Sequence, residues 1–319
     1  MIPRRTMLAG MLASLAILPI SAHADAPLRV VATTGMIADA ARQIGGDLVE
    51  VKGLMGPGVD PHAYRQTRTD IVAMTRADLV LWHGLYLEAQ MEGFFHDLAR
   101  KRNVVAVAEA LPRDKLRGHD SYADKFDPHV WMNPVLWIEV VRAVQAALTE
   151  TRPEAALKFE ANAEVYISQI RAVSRYAADR LQRVPESARV LLTAHDAFGY
   201  FGAEYGFEVL GIQGISTESE AGLNRIGMLV DLLVERRITA VFVESSVSDR
   251  SIRAVIEGAA AKGHALKVGG ELFSDAMGPD GTYEGTYVGM IDHNVTVIAG
   301  ALGANVPPRG MIGKLSAGY

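Results

Sequence analysis

From Leu28 onward, short runs of consecutive apolar residues alternate with stretches in which apolar positions return every three or four residues. The first kind reads as buried strand and the second as helix with one face on a core. "LRVVATT" (28–34), "LVEVKGLM" (48–55), "ADLVLWHG" (77–84) and "NVVAVAEA" (103–110) are predicted strands. Helices are predicted through Ile37, Ala41 and Ile44 up to Gly45-Gly46, over 67–77 with Thr67 as N-cap, and over 88–102. Such alternation predicts a parallel sheet covered on both faces.

The rhythm breaks after Pro112. Residues 113–128 are charged and irregular, and a helix is predicted from Pro134 to Glu150. Pro153 opens another, which continues to Arg183 without an internal glycine or proline. Its apolar positions are Leu157, Ala161, Val165, Ile167, Ile170, Val173, Tyr176, Ala177 and Leu181. At ~1.5 Å per residue it is ~45 Å long, more than the width of a small domain, so it is expected to pass from one domain to another. The alternation then restarts, with strands predicted at 188–195, 207–214, 239–246 and 265–273 and helices at 220–236, 249–262 and 285–302. The expected fold class is α/β: two lobes, each with a mainly parallel sheet flanked by helices, joined by one long linker helix. The expected boundaries are 25–152 for the N-terminal lobe, 153–184 for the linker and 185–319 for the C-terminal lobe. The cleft between the lobes, at the carboxyl ends of the strands, is where such sheets present ligands.

Residues 1–24 stand apart. Arg4 and Arg5 precede an apolar run from Met7 to Ile20, and Ala22-His23-Ala24 has the small-x-small form of a cleavage site. A run of about 14 residues is short of the ~20 that span a bilayer. It reads as a cleaved export signal, with "RRTML" also fitting a twin-arginine pattern, and the mature product is expected in the periplasm. Losing two arginines and no acids moves the formal charge from −5 to −7, which argues against nucleic acid as a partner. The chain has no cysteine, hence no disulfide framework and an expectation of no lipid anchor. Roughly 295 remaining residues suffice for two domains.

Candidate chemistry lies with the histidines. His62 and His129 both follow an Asp-Pro pair, in "DPHAY" (60–64) and "DPHVWMNP" (127–134), and His195 closes the strand "VLLTAH". His83, in "LWHG", is a fourth strand-end histidine, whereas His96, His119, His264 and His293 have no matching partner. Proline fixes its own φ and extends the residue before it, so an Asp-Pro-His turn holds an imidazole in place before a metal arrives. Asp60 and Asp127 either accept the other ring N–H of their histidines or serve as turn formers or N-caps. A carboxylate completing the set stands at a strand end: Asp275 in "GGELFSDAMG" (269–278), Glu271 or Glu244.

With these pieces in order, the chain resembles the zinc- and manganese-binding solute-binding proteins of ABC importers, the TroA/ZnuA-like family, over essentially its whole mature length. "TTGMIADAARQIGGD" (33–47), "GVDPHAYRQTRTDI" (58–71), "DPHVWMNP", "TAHDAFGYFGAEYGFEVLGIQGISTESE" (193–220) and "GGELFSDAMG" carry the resemblance. It implies two α/β lobes on a rigid helix and a metal held between them by His62, His129, His195 and Asp275. Glu244 matches an acid near the cleft that is not a ligand. Many zinc-scavenging members carry a long His-rich loop before the second histidine motif, and residues 113–128 are short by comparison. Many manganese members have glutamate at the third histidine position, where this chain has His195.

Three imidazoles and one carboxylate suit zinc in a four-coordinate site, while a bidentate Asp275 would enlarge the shell for manganese. The expected function is capture of one zinc or manganese ion in the periplasm and its delivery, by a monomer, to a membrane permease driven by a cytoplasmic ATPase. The chain is not expected to be an enzyme. The rival reading is a secreted zinc hydrolase, which needs an open metal position and a general base. The chain has no His-Glu-x-x-His pair, and Glu244 or Glu271 could act as base only with Asp275 off the metal.

Overall fold

The computed structural model describes residues 26–119 and 122–316, so the export signal and its twin-arginine pattern lie outside the described residues. The first lobe runs β1 (Leu28–Ala32), α1 (Gly35–Gly45), β2 (Val49–Gly53), α2 (Arg68–Arg76), β3 (Leu79–Trp82), α3 (Glu92–Ala99) and β4 (Val104–Ala106). Its sheet is wholly parallel in the order β2-β1-β3-β4, with Val30 paired to both Val51 and Leu79. All four residues of β3 are buried, the mark of a central parallel strand with helices on both faces.

Strands are shorter than their apolar runs because the trailing residues turn toward the next element. Thr34 leaves β1 to cap α1, accepting the Ile37 N–H, and Val107–Ala110 tightens into a 3₁₀ turn. The helix predicted from residue 88 starts only at Glu92. Leu85 and Tyr86 adopt positive φ (53° and 68°), and Glu88 turns inward to accept from Thr33 Oγ1 and from the His83 and Gly84 amides. The irregular stretch after Pro112 contains an antiparallel pair, β5 (Gly118–His119) and β6 (Tyr122–Phe126).

Helix α4 (Pro134–Thr151) packs on α1 and β3 of the first lobe and leads into the linker α5 (Ala156–Leu181). At 26 residues, α5 is ~39 Å long. Its buried stripe is Phe159, Ala163, Tyr166, Ile167, Ile170, Val173, Ala177 and Leu181. Leu157 and Val165, expected on that stripe, are instead 82% and 61% exposed. A step of four residues overshoots a helical turn by ~40°, so the row through 157, 161 and 165 leaves the face that the later residues share. The helix packs on α1 and α4 at one end and on the last helix of the chain at the other.

The second lobe comprises β7 (Val190–Thr193), α6 (Gly199–Tyr205), β8 (Glu208–Gly211), α7 (Leu223–Glu235), β9 (Ala240–Glu244), α8 (Arg250–Ala261), β10 (Lys267–Leu272) and α9 (Tyr287–Ala301). β7 pairs with β8 and β9 with β10, both parallel, and β7 lies beside β9. Helix α6 was not predicted, because two glycines in seven residues weaken helical propensity. Gly202 is needed for packing: a Cβ there would come within 2.7 Å of the Phe207 carbonyl. A buried carboxylate joins the lobes to the linker, since Asp39 of α1 accepts from Tyr166 of α5 (2.8 Å) and from the Tyr287 amide of α9 (3.0 Å).

Candidate metal centre

Both Asp-Pro-His turns fold by one local device. Asp60 Oδ1 accepts the amide of His62 (2.8 Å) and Asp127 Oδ1 accepts the amide of His129 (3.0 Å), each closing a turn two residues long. The flanking chain is clamped as well. Thr67 and Asp70 form a reciprocal cap at the start of α2, and Tyr64 donates to Asp70 (2.8 Å). After His129, a 3₁₀ turn leads to Asn133, whose side chain caps α4, with Pro134 at the first helical position. His195 follows β7 by two residues, Glu244 ends β9, and Asp275 follows β10 by three. These are the carboxyl ends of parallel strands, where the open sheet leaves backbone free to turn into the cleft.

His62, His129, His195 and Asp275 come together, their donor atoms all within 4.8 Å of one another and all four side chains buried. His62 Nε2 lies 3.2 Å from His129 Nε2. Asp275 reaches all three rings, at 3.9 Å to His62, 3.4 Å to His129 and 3.1 Å to His195. Around an ion with bonds of ~2.0–2.2 Å, tetrahedral donors stand ~3.3–3.6 Å apart, a range that these separations of 3.1–3.9 Å bracket. His195 Nε2 and both Asp275 oxygens are buried without a hydrogen-bond partner. Buried polar atoms without partners are costly, and a cation at their common focus would satisfy all of them.

Two of the rings are oriented from behind. His129 Nδ1 lies 2.7 Å from Asp127 Oδ1, and His195 Nδ1 lies 2.6 Å from Glu244 Oε2, off the straight line of a hydrogen bond. Glu244 also accepts the His195 amide (2.9 Å). Protons held at Nδ1 leave each Nε2 lone pair for a metal. The open question about the two aspartates thus resolves differently for each: Asp127 orients its ring, whereas Asp60 holds only the backbone of His62. The other carboxylate oxygen of Asp60, Oδ2, accepts from Thr217 of the opposite lobe (2.5 Å).

Charge within the cluster follows these contacts. Burial holds His62 down to about 3, so its ring is neutral. Burial also opposes protonation of His129, yet Asp127 and Asp275 raise it to about 9. His195 is likewise raised by Asp275 and Glu244 against the effect of burial. Against that same effect, the two rings hold Asp275 well below the carboxylate range.

His83 is outside the donor set. Its Nε2 donates to the Pro128 carbonyl (2.7 Å), and its ring meets Trp131 edge-on. It therefore braces the second Asp-Pro-His turn. Glu271 is exposed on β10, and its carbonyl accepts from His293 Nε2 (2.9 Å). Trp131, two residues after His129, crosses the cleft to donate to the carbonyl of Ser274 (2.8 Å), next to Asp275.

Two α/β lobes meeting on a buried set of nitrogen and oxygen donors, with a long helix running between them, define a metal-binding solute-binding protein. The chain belongs to the ZnuA family, described as zinc-uptake complex component A, periplasmic, whose model matches residues 30–301. It is 49% identical over 279 residues to the manganese-binding lipoprotein MntA of Bacillus subtilis, covering 88% of this chain and 91% of that one. It is 44% identical over 281 residues to the zinc-binding protein TroA of Treponema pallidum, with the same coverage. The solved structure of that periplasmic zinc-binding protein superposes with a TM-score of 0.84 over 86% of this chain and 99% of the other. The metal ABC transporter substrate-binding lipoprotein SsaB of Streptococcus sanguinis is 29% identical over 281 residues, covering 86% of this chain and 89% of that one.

The family comprises metal-binding components of ABC transporters and not enzymes, which removes the hydrolase reading. The expectation of an unanchored product finds no support among these relatives, two of which are lipoproteins by name. No helix among the described residues is long and apolar enough to cross a membrane.

Proposed function

We propose that His62, His129, His195 and Asp275 hold one zinc or manganese ion, captured in the periplasm and delivered to the permease of an ABC importer and, through it, its ATPase. The observation that carries this reading is the convergence of four buried donor atoms within 4.8 Å, three of them imidazole nitrogens. Three nitrogens favour zinc by affinity. Both Asp275 oxygens face the rings, Oδ1 toward His129 and Oδ2 toward His62 and His195, so a bidentate carboxylate can enlarge the shell for manganese. The similarity to a zinc-binding and a manganese-binding protein supports the same pair. The working units are lobes 25–152 and 185–319 on the linker 153–184, with closure restricted to a small movement by the packed helix.

Metal analysis of protein purified without added ions tests the reading, with about one zinc or manganese per chain expected for a closed four-donor site. Less than about a tenth of that would count against it. Asp275→Ala should weaken zinc binding strongly; unchanged affinity would remove Asp275 from the donor set.

A further inference from the structure

The four donors are not held equally. His129 and His195 are each backed by a carboxylate. Asp275 is steadied across the cleft by the fully buried Trp131, bonded to the carbonyl of the preceding residue. Among the described residues, the His62 ring has no carboxylate within ion-pair reach except Asp275 itself. What holds His62 is Asp60, through the backbone amide, and Asp60 in turn holds Thr217 Oγ1 at 2.5 Å. Thr217 belongs to the segment 212–222, between β8 and α7, which has neither strand nor helix. That segment reaches onto the first lobe again where Gln90 donates to Glu218. It also lays Ile215 and Ser216 beside His62, Tyr86 and Phe126.

We propose that Thr217 is a positioning residue for the metal: its hydroxyl, bonded to Asp60 across the cleft, keeps His62 in the donor set. This rests on the proposed metal site and adds an order of events to it. The Trp131–Ser274 contact is sealed in the interior, whereas the Thr217–Asp60 contact is only half-buried and is carried by an irregular segment. When the lobes part, the Thr217 bond breaks first and His62 is the first ligand to leave. The remaining donors stay assembled on their buried supports. Release of the ion is thereby controlled from the 212–222 segment of the second lobe.

The test is stopped-flow transfer of zinc from the loaded mature protein to an excess of chelator dye, with association measured separately. Thr217→Val keeps the shape and removes the hydroxyl. It should speed release by about tenfold or more, the scale set by a hydrogen bond to a charged acceptor, and leave association nearly unchanged. Thr217→Ser, which keeps the hydroxyl, should release at the wild-type rate. Gln90→Ala loosens the same segment without touching Asp60 and should stay within about twofold of wild type. Release from Thr217→Val at the wild-type rate would overturn the proposal. So would equal acceleration in the serine or Gln90 variants, since that would make the effect one of general loosening. A wild-type chain that takes up no zinc would instead overturn the metal site on which the proposal stands.

Discussion

Glutamine at position 244 keeps the size of the side chain and removes one acceptor. Glu244 faces two N–H groups of the same residue with two different oxygens: the His195 amide is hydrogen-bonded to Oε1, and the His195 ring Nδ1 lies 2.6 Å from Oε2 in a charge contact off the hydrogen-bond line. An amide offers one acceptor oxygen, so in Glu244→Gln one of these N–H groups faces an NH₂ in a fully buried place. An unsatisfied buried donor costs about 1–3 kcal/mol, or about 5- to 150-fold in an equilibrium constant. The cost appears as lost metal affinity, because the ring can keep Nε2 on the ion only with its Nδ1–H set against that NH₂ in place of a carboxylate oxygen. Asp127 supplies the contrast. Both His129 donors converge on its Oδ1, the amide at 3.0 Å and Nδ1 at 2.7 Å. Asparagine can present its single oxygen there, so Asp127→Asn should lose less than about fivefold. Competition titration of zinc against a chelator of known strength measures both variants. A loss in Asp127→Asn equal to or larger than that in Glu244→Gln would refute the reasoning and make charge, rather than acceptor count, the controlling quantity.

Zinc binding should tighten as pH rises. His129, raised to about 9, and His195, also raised above the ordinary 6.5, carry protons at neutral pH that the metal must displace, whereas His62, lowered to about 3, has none to lose. About two protons should therefore be released per ion at pH 7, read by calorimetry in buffers of different ionisation enthalpy; fewer than about half a proton would contradict the assignment. Glu88 should make metal-free stability depend on pH in the opposite sense to a salt-bridged acid. Burial pushes it from 4.5 up to about 7, so the folded chain keeps a proton that the unfolded chain has lost, and its contribution falls as pH rises through that window. Relative to Glu88→Gln, the wild type should lose up to roughly 3 kcal/mol between pH 4.5 and 7 in urea denaturation; parallel curves would show that Glu88 is ionised throughout.

The order of strands and helices was legible because each apolar run carries its own period and its own cap signals. The exceptions are elements whose local sequence points elsewhere. Helix α6 contains glycines required by a close approach to Phe207, and the segment before α3 is bent by Leu85 and Tyr86 so that Glu88 can turn inward. The early part of the linker stripe was misplaced because one face of a helix cannot be told from the next until something packs against it.

The same division runs through the site. The two Asp-Pro-His turns were readable in full as local objects, since proline geometry and an acceptor two residues back act within a few bonds. Which ring an aspartate also touches was not. Asp127 faces the ring of His129, while Asp60, in the same motif, turns its free oxygen to Thr217. Among the acids at strand ends, position in the chain left Asp275, Glu244 and Glu271 equivalent and the family resemblance favoured Asp275; the fold brings Asp275 into the cluster, with Glu244 behind it and Glu271 outside it. A turn depends on covalent neighbours and is written in the chain. The convergence of side chains from distant segments depends on how two lobes pack along a helix, and that is set by the whole interior together.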